Sequence, residues 1–159
     1  MLKHPFPPLY DESSRILILG SFPSVRSREM MFFYGHPQNR FWRVLARVFE
    51  SDTVPMTVEE RSAFLLKHRV AVWDVLASCE IQGSADSTIR RAEVNDLTPI
   101  FETAAIDAIY VNGKTAKQYY DRYLRDRIGR DAICLPSTSP ANAAWSLDQL
   151  TEAWSIIKQ

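Results

Sequence analysis

The chain has 159 residues, with 19 Lys and Arg against 19 Asp and Glu, 46% hydrophobic and 24% charged. That is enough chain for one domain with a proper core, and the mix is that of a folded protein. No run approaches the ~18 apolar residues of a membrane span, and the opening Met1-Leu2-Lys3-His4-Pro5 lacks a signal-peptide pattern. A single cytoplasmic, monomeric domain over residues 1–159 is the expectation.

Arg15-Ile16-Leu17-Ile18-Leu19-Gly20 reads as a buried strand, a continuous apolar run closed by glycine. Gln38 to Phe49 reads as an amphipathic helix, with Phe41, Trp42, Val44, Leu45, Val48 and Phe49 on one face and Arg40, Arg43 and Arg47 on the other. Thr57-Val58-Glu59-Glu60 is a capping box opening a helix to about Lys67. Val70-Ala71-Val72-Trp73 is a second strand, and Thr98 before Pro99 predicts an N-cap with proline in the first turn. Ala108-Ile109-Tyr110-Val111 is a third strand, ended by Asn112-Gly113, and a helix carrying Ala116, Tyr119, Tyr120, Tyr123 and Leu124 follows. Ala132-Ile133-Cys134-Leu135 is a fourth strand, and a closing helix carries Leu147, Leu150, Trp154 and Ile157.

Short apolar strands alternating with helices predict an α/β fold, a three-layer α-β-α sandwich around a central, largely parallel four-stranded sheet. Ligands of such sheets sit beyond the carboxyl ends of the strands. Here those ends are Ser21-Phe22-Pro23-Ser24, Asp74, Asn112-Gly113 and Ser137-Thr138-Ser139-Pro140-Ala141-Asn142. Cys79 and Cys134 form no metal-binding pair, and His4, His36 and His68 are scattered, so neither metal nor cofactor is expected. Despite zero net charge, Arg26, Arg28, Arg40, Arg43 and Arg47 stand against the single acid Glu29 between Ser24 and Val48. Such a face can hold phosphates, or be an ordinary solvated surface.

Those four segments, in this order, resemble the uracil-DNA glycosylase superfamily, and most of all its hypoxanthine (deoxyinosine) branch. Gly20-Ser21-Phe22-Pro23-Ser24 is similar to the superfamily's first motif, Gly-x-(Asp/Asn)-Pro-x. Tyr34-Gly35-His36-Pro37-Gln38-Asn39-Arg40-Phe41-Trp42 resembles the corresponding run of mismatch-specific glycosylases, and Ser137-Thr138-Ser139-Pro140-Ala141 resembles the last motif. Many members carry a water-activating Asp or Asn where this chain has Phe22, and the hypoxanthine branch uses the Asn of Asn-Arg-Phe-Trp, here Asn39.

The resemblance implies a monofunctional glycosylase acting on DNA that contains deoxyinosine, with Asn39 guiding water to an oxocarbenium-like transition state. Phe22 and Tyr34 would stack on a flipped base. Asp74, an acceptor, would face N1–H of hypoxanthine, and Asn112 would donate to the base or place water. Ser24, Arg40, Ser137, Ser139 and Asn142 would meet the DNA backbone, with Ala141 at the position of the wedge that enters the vacated gap. The same residues have plainer readings: Asn39 as a helix cap, Phe22 and Tyr34 as core aromatics, Asp74 and Asn112 as turn formers, the serines as a surface turn. Rival functions are a glycosylase for uracil or xanthine and a non-catalytic nucleic-acid-binding descendant. A serine hydrolase lacks its Gly-x-Ser-x-Gly elbow.

Overall fold

The computed structural model describes residues 1–158. In chain order its elements are β1 (Leu2–Lys3), β2 (Ile16–Gly20), α1 (Val25–Met30), α2 (Phe41–Val48), α3 (Val58–Lys67), β3 (Val70–Asp74) and β4 (Leu76–Glu80). Then come β5 (Arg90–Val94), α4 (Thr98–Thr103), β6 (Ala108–Asn112), α5 (Lys114–Tyr123), α6 (Arg125–Ile128), β7 (Ile133–Leu135) and α7 (Leu147–Trp154). The four expected strands form one parallel sheet in the order β3-β2-β6-β7.

The sheet is apolar on both faces because helices cover both. Ile16 and Ile18 of β2, with Val70 and Val72 of β3, pack on one side against Phe41 and Leu45 of α2, Leu65 of α3, and Leu150 and Trp154 of α7. Leu17 and Leu19, with Ala71, Ile109 and Val111, pack on the other against Ile100 of α4 and Ala116 and Tyr120 of α5. These are the three expected layers. Leu17 is fully buried, so truncating it to Ala would cost about 2–5 kcal/mol.

A second sheet, antiparallel and ordered β1-β4-β5, was not expected from the sequence. Only Val75 separates β3 from β4, so Val70 to Glu80 reads as one apolar stretch. Arg90-Arg91-Ala92-Glu93-Val94 is too polar to announce a strand, and suits an edge.

Three helix boundaries also move. Helix α2 begins at Phe41, not Gln38, because the Asn39 Oδ1 accepts from the Phe41 N–H at 2.9 Å and turns the chain first. Leu97, not Thr98, is the N-cap of α4, and the Thr98 N–H donates to Asp96 Oδ1 at 3.0 Å. The closing helix stops at Trp154, and a 3-10 turn over Ser155–Ile157 keeps Ile157 buried. The Thr57/Glu60 capping box forms as read, with both reciprocal bonds present.

The connection from β2 leads to β3 on one side, and the chain then crosses back to β6 on the other. This leaves a crevice at the carboxyl ends of β2 and β6. The register pairs Gly20 with Asp74 and Leu19 with Val111, so Gly20, Asp74 and Asn112 share one rim.

Candidate active site

One half of the site is dry and charged. Asp74, the last residue of β3, is 4% exposed, and its Oδ2 lies 2.7 Å from His4 Nε2. His4 arrives from the amino-terminal segment, where β1 pairs with β4 and the His4 N–H donates to Ala77 O at 2.7 Å. Its imidazole is boxed by Phe6 at 4.5 Å, Trp73 at 5.6 Å and Phe22 at 6.0 Å between ring centroids.

The other carboxylate oxygen of Asp74 crowds Gly20. A Cβ built on Gly20 would sit 2.5 Å from Asp74 Oδ1 and 3.1 Å from the Tyr34 hydroxyl. Only a residue without a side chain lets that carboxylate and that phenol close over the end of β2. Tyr34 itself is a non-glycine residue at φ 50°, a conformation that costs on the order of 1–2 kcal/mol. The strain is held by neighbours: the Tyr34 ring stacks on Phe41 with centroids 3.9 Å apart, and its carbonyl accepts from Trp42 Nε1–H at 3.1 Å.

The Tyr34 hydroxyl is buried and has no hydrogen-bond partner, a position shared among the described side chains only with Trp73 Nε1. Burial, then the negative charge of Asp74, push its pKa far above the usual phenol value, and the nearby Asn112 amide offsets this in part. It is therefore a neutral O–H donor. At the rim, Ser21 Oγ donates to Asp86 Oδ1 at 3.0 Å. Asp86 is an exposed residue, and its carboxyl pKa is raised by desolvation and by the charge of Asp74, against the Ser21 bond.

The other half is built of neutral amides. Asn39 is half-buried. Because a backbone N–H can only donate, the bond from Phe41 N fixes which end of the carboxamide is oxygen. Arg40, not Asn39, is the N-cap of α2; one lone pair of Asn39 Oδ1 accepts from the first helical N–H just beyond it, and the second lone pair and the Nδ2 hydrogens remain for solvent or substrate. That bond orients Asn39 and does not compete with a chemical role. Asn112 is stapled to Thr138, donating Nδ2–H to Oγ1 at 3.0 Å while its Oδ1 accepts the Thr138 N–H at 3.0 Å. Thr138 is fully buried, and its carbonyl accepts the Arg40 N–H at 3.0 Å. Thr138 thus ties the end of β6 to the residue after Asn39.

Several sequence expectations change. Phe22 is 7% exposed and packs in the core beside His4, with the Arg28 guanidinium 5.7 Å from its ring. Ser24 is the N-cap of α1, accepting from the Ser27 N–H and donating to Ser27 Oγ at 3.1 Å, so it is not a free phosphate ligand. Arg40 donates to the carbonyls of Trp145, Ser139 and Asn142, and so clamps the loop after β7 instead of standing free for phosphate. Asn142 closes that loop through Nδ2–H to Ser137 O at 3.0 Å. Ser137 and Ser139 accept from the N–H groups of Ser139 and Ala141, each at 3.1 Å, so they form successive turns with their own O–H groups left over. Arg47, though exposed, pairs with Asp148 on α7, and Arg26 and Arg43 are exposed without an acidic partner among the described residues.

His4, Thr138 and Trp145 were missed. His4 sits 70 residues from Asp74, a pairing no local pattern announces. Trp145, 38% exposed, is the large apolar side chain of the clamped loop, next to Ala143 and Ala144.

Comparison with known proteins gives the family and the fold. The model of the family "Uracil DNA glycosylase superfamily" matches residues 7–158. A protein of Methanosarcina acetivorans named hypoxanthine DNA glycosylase is 35% identical over 158 residues, covering 99% of this chain and 98% of that one. One of the same name from Methanosarcina barkeri is 33% identical over 156 residues, covering 98% and 97%. The solution NMR structure of a candidate uracil DNA glycosylase from Methanosarcina acetivorans superposes with a TM-score of 0.83 at 33% identity, covering 99% of this chain and 98% of that one. The chain belongs to the uracil DNA glycosylase superfamily.

Proposed function

We propose that this protein is a monofunctional DNA glycosylase that releases hypoxanthine from deoxyinosine. The observation that carries the reading is the pairing of the free Asp74 oxygen with the unpartnered Tyr34 hydroxyl over Gly20. It sets an acceptor and a donor near each other in a buried place at the end of β2. Hypoxanthine presents the complement, N1–H beside O6, whereas adenine presents N1 and an amino group, the reverse pattern. A buried donor or acceptor left facing its like costs about 1–3 kcal/mol, so the pocket favours the deaminated base over its parent. Uracil and xanthine share this edge, and the names of the two Methanosarcina relatives favour hypoxanthine.

The chemistry then falls to the amide half. The C1′–N9 bond breaks with its electron pair leaving on the base, and water adds to the sugar cation and gives its proton to the solvent or the base. Asn39 accepts from that water through its second lone pair and stabilises the cation as a fixed dipole. An amide is too weak a base to remove a proton early, which suits a transition state in which the base has largely departed. Gly113, at φ 97° with a built Cβ 3.1 Å from Ser137 Cβ, lets the last loop close on the end of β6. On that loop Trp145, rather than the small Ala141, fills the gap left by the extruded nucleotide, and Arg26 and Arg43 face the phosphates.

The test uses labelled duplexes holding a single inosine, uracil, xanthine or no lesion, followed by alkali. Scission at inosine above all others supports the reading. Preference for uracil would assign the other lesion, and binding without scission on every duplex would leave a nucleic-acid-binding protein without catalysis.

A further inference from the structure

We propose that His4 is a positioning residue that fixes Asp74 as a hydrogen-bond acceptor, and so sets which bases the site admits. The inference rests on Asp74 facing the base, and adds what decides its polarity. A buried carboxyl group can read a base in two opposite ways. Ionised, it accepts, and matches N1–H of hypoxanthine; protonated, it donates, and matches bare N1 of adenine. Discrimination between a damaged base and its parent therefore needs something that forbids the second state.

His4 is built for that task. The two side chains are only 3% and 6% exposed, so little solvent competes for either partner. The Phe6 N–H points at His4 Nδ1 at 3.5 Å, a long contact that only an unprotonated Nδ1 tolerates. That places the ring proton on Nε2, which donates to Asp74 Oδ2 at 2.7 Å. A carboxylate bonds this donor more strongly than the neutral acid does, so the bond at Oδ2 favours the form in which Oδ1, the oxygen near Tyr34, is an acceptor. The other titratable groups that act on Asp74 are Tyr34, from the segment between α1 and α2, and Asp86, from the connection between β4 and β5. The first is a neutral phenol and the second an acid, and His4 is the side chain that bonds the carboxylate, at 2.7 Å. Placement is equally specific: β1 is bonded to β4, and Leu9 bridges Val72 of β3, so the segment carrying His4 is strapped across the back of the pocket at both ends.

Three measurements test this. In binding to uncleavable 2′-fluoro duplexes, Asp74→Asn should reverse the inosine-over-adenine preference, because His4 pins the new carboxamide oxygen and turns its N–H₂ to the base. Adding His4→Leu to that variant should erase the preference, since the carboxamide is then free to turn over. His4→Leu alone should lower inosine excision by roughly tenfold or more at neutral pH and move the acid limb of its pH profile upward. His4→Gln, which keeps a donor, should restore most of both. A purely structural role would change stability without moving the pH profile. Ring ¹⁵N shifts of the native protein give a readout independent of any variant's folding, and should show His4 protonated at Nε2 and bare at Nδ1. An Nδ1–H tautomer, or a folded His4→Leu protein with unchanged pH profile and preference, overturns the proposal. Loss of inosine preference in Asp74→Asn without reversal also counts against His4. No effect of Asp74→Asn at all would instead remove the reading of Asp74.

Discussion

The two halves of the crevice are made of different chemistry. Around Asp74 the groups are buried, one is ionic, and His4 and the glycine at position 20 fix the positions of both carboxylate oxygens. Around Asn39 the groups are neutral amides and hydroxyls, half-exposed and bonded mainly to backbone. Low dielectric sharpens the distinction between donor and acceptor, so a base is best read where water is absent. Water must reach C1′, and an amide half open to solvent admits it. Tyr34 joins the halves, since both the Asp74 carboxylate and the Asn112 amide act on its hydroxyl.

Variants can break or sharpen that division. The largest effect is expected for Asn39→Ala, which removes the dipole at the reacting carbon: excision falls about 10²–10³-fold under single turnover, while inosine binding by gel shift persists. Next, Gly20→Ala forces a methyl group to 2.5 Å from Asp74 Oδ1. It should cost about 1–3 kcal/mol in denaturant melts and weaken inosine preference more than it weakens DNA binding. Thr138→Val leaves the Asn112 amide without its hydroxyl partner, for about 1–3 kcal/mol of stability and slower excision on every base alike.

Arg40→Leu frees the loop that carries Trp145. Proteolysis in that loop should rise and excision fall about tenfold, yet the salt dependence of DNA binding should not change. A slope smaller by about one unit would mean that Arg40 neutralises a phosphate after all. Smallest of all, Ser146→Ala removes half of the capping box that opens α7. It should cost about 1 kcal/mol, or roughly 2–4 °C in Tm, with excision untouched.

The fold was largely legible because its strands are bounded apolar runs and its ligand edge follows from topology alone. Ile16 to Gly20 and Ala108 to Asn112 needed no tertiary knowledge to be placed. The site was legible only as far as short motifs reach. Asn39, Asp74 and Asn112 were singled out, but the side-chain partners of Asp74 and Asn112 lie 70 and 26 residues away, and only the bond of Asn39 to Phe41 is local. His4 and the second sheet escaped for one physical reason. Edge strands that meet distant partners are stabilised by cross-strand bonds, and those bonds leave little periodic trace. Arg40 misled in the opposite direction. A cation in a basic stripe suggests phosphate, but this one donates to three carbonyls of the loop after β7, contacts that no local pattern announces.

The division of labour has one direct measurement: excision rate from a deoxyinosine duplex, and inosine-over-adenine preference in binding to uncleavable 2′-fluoro duplexes, each taken for Asn39→Ala and Asp74→Asn. Asn39→Ala should lose the rate and keep the preference, and Asp74→Asn should reverse the preference. Equal losses of both properties in both variants, or full preference in Asp74→Asn, would contradict it.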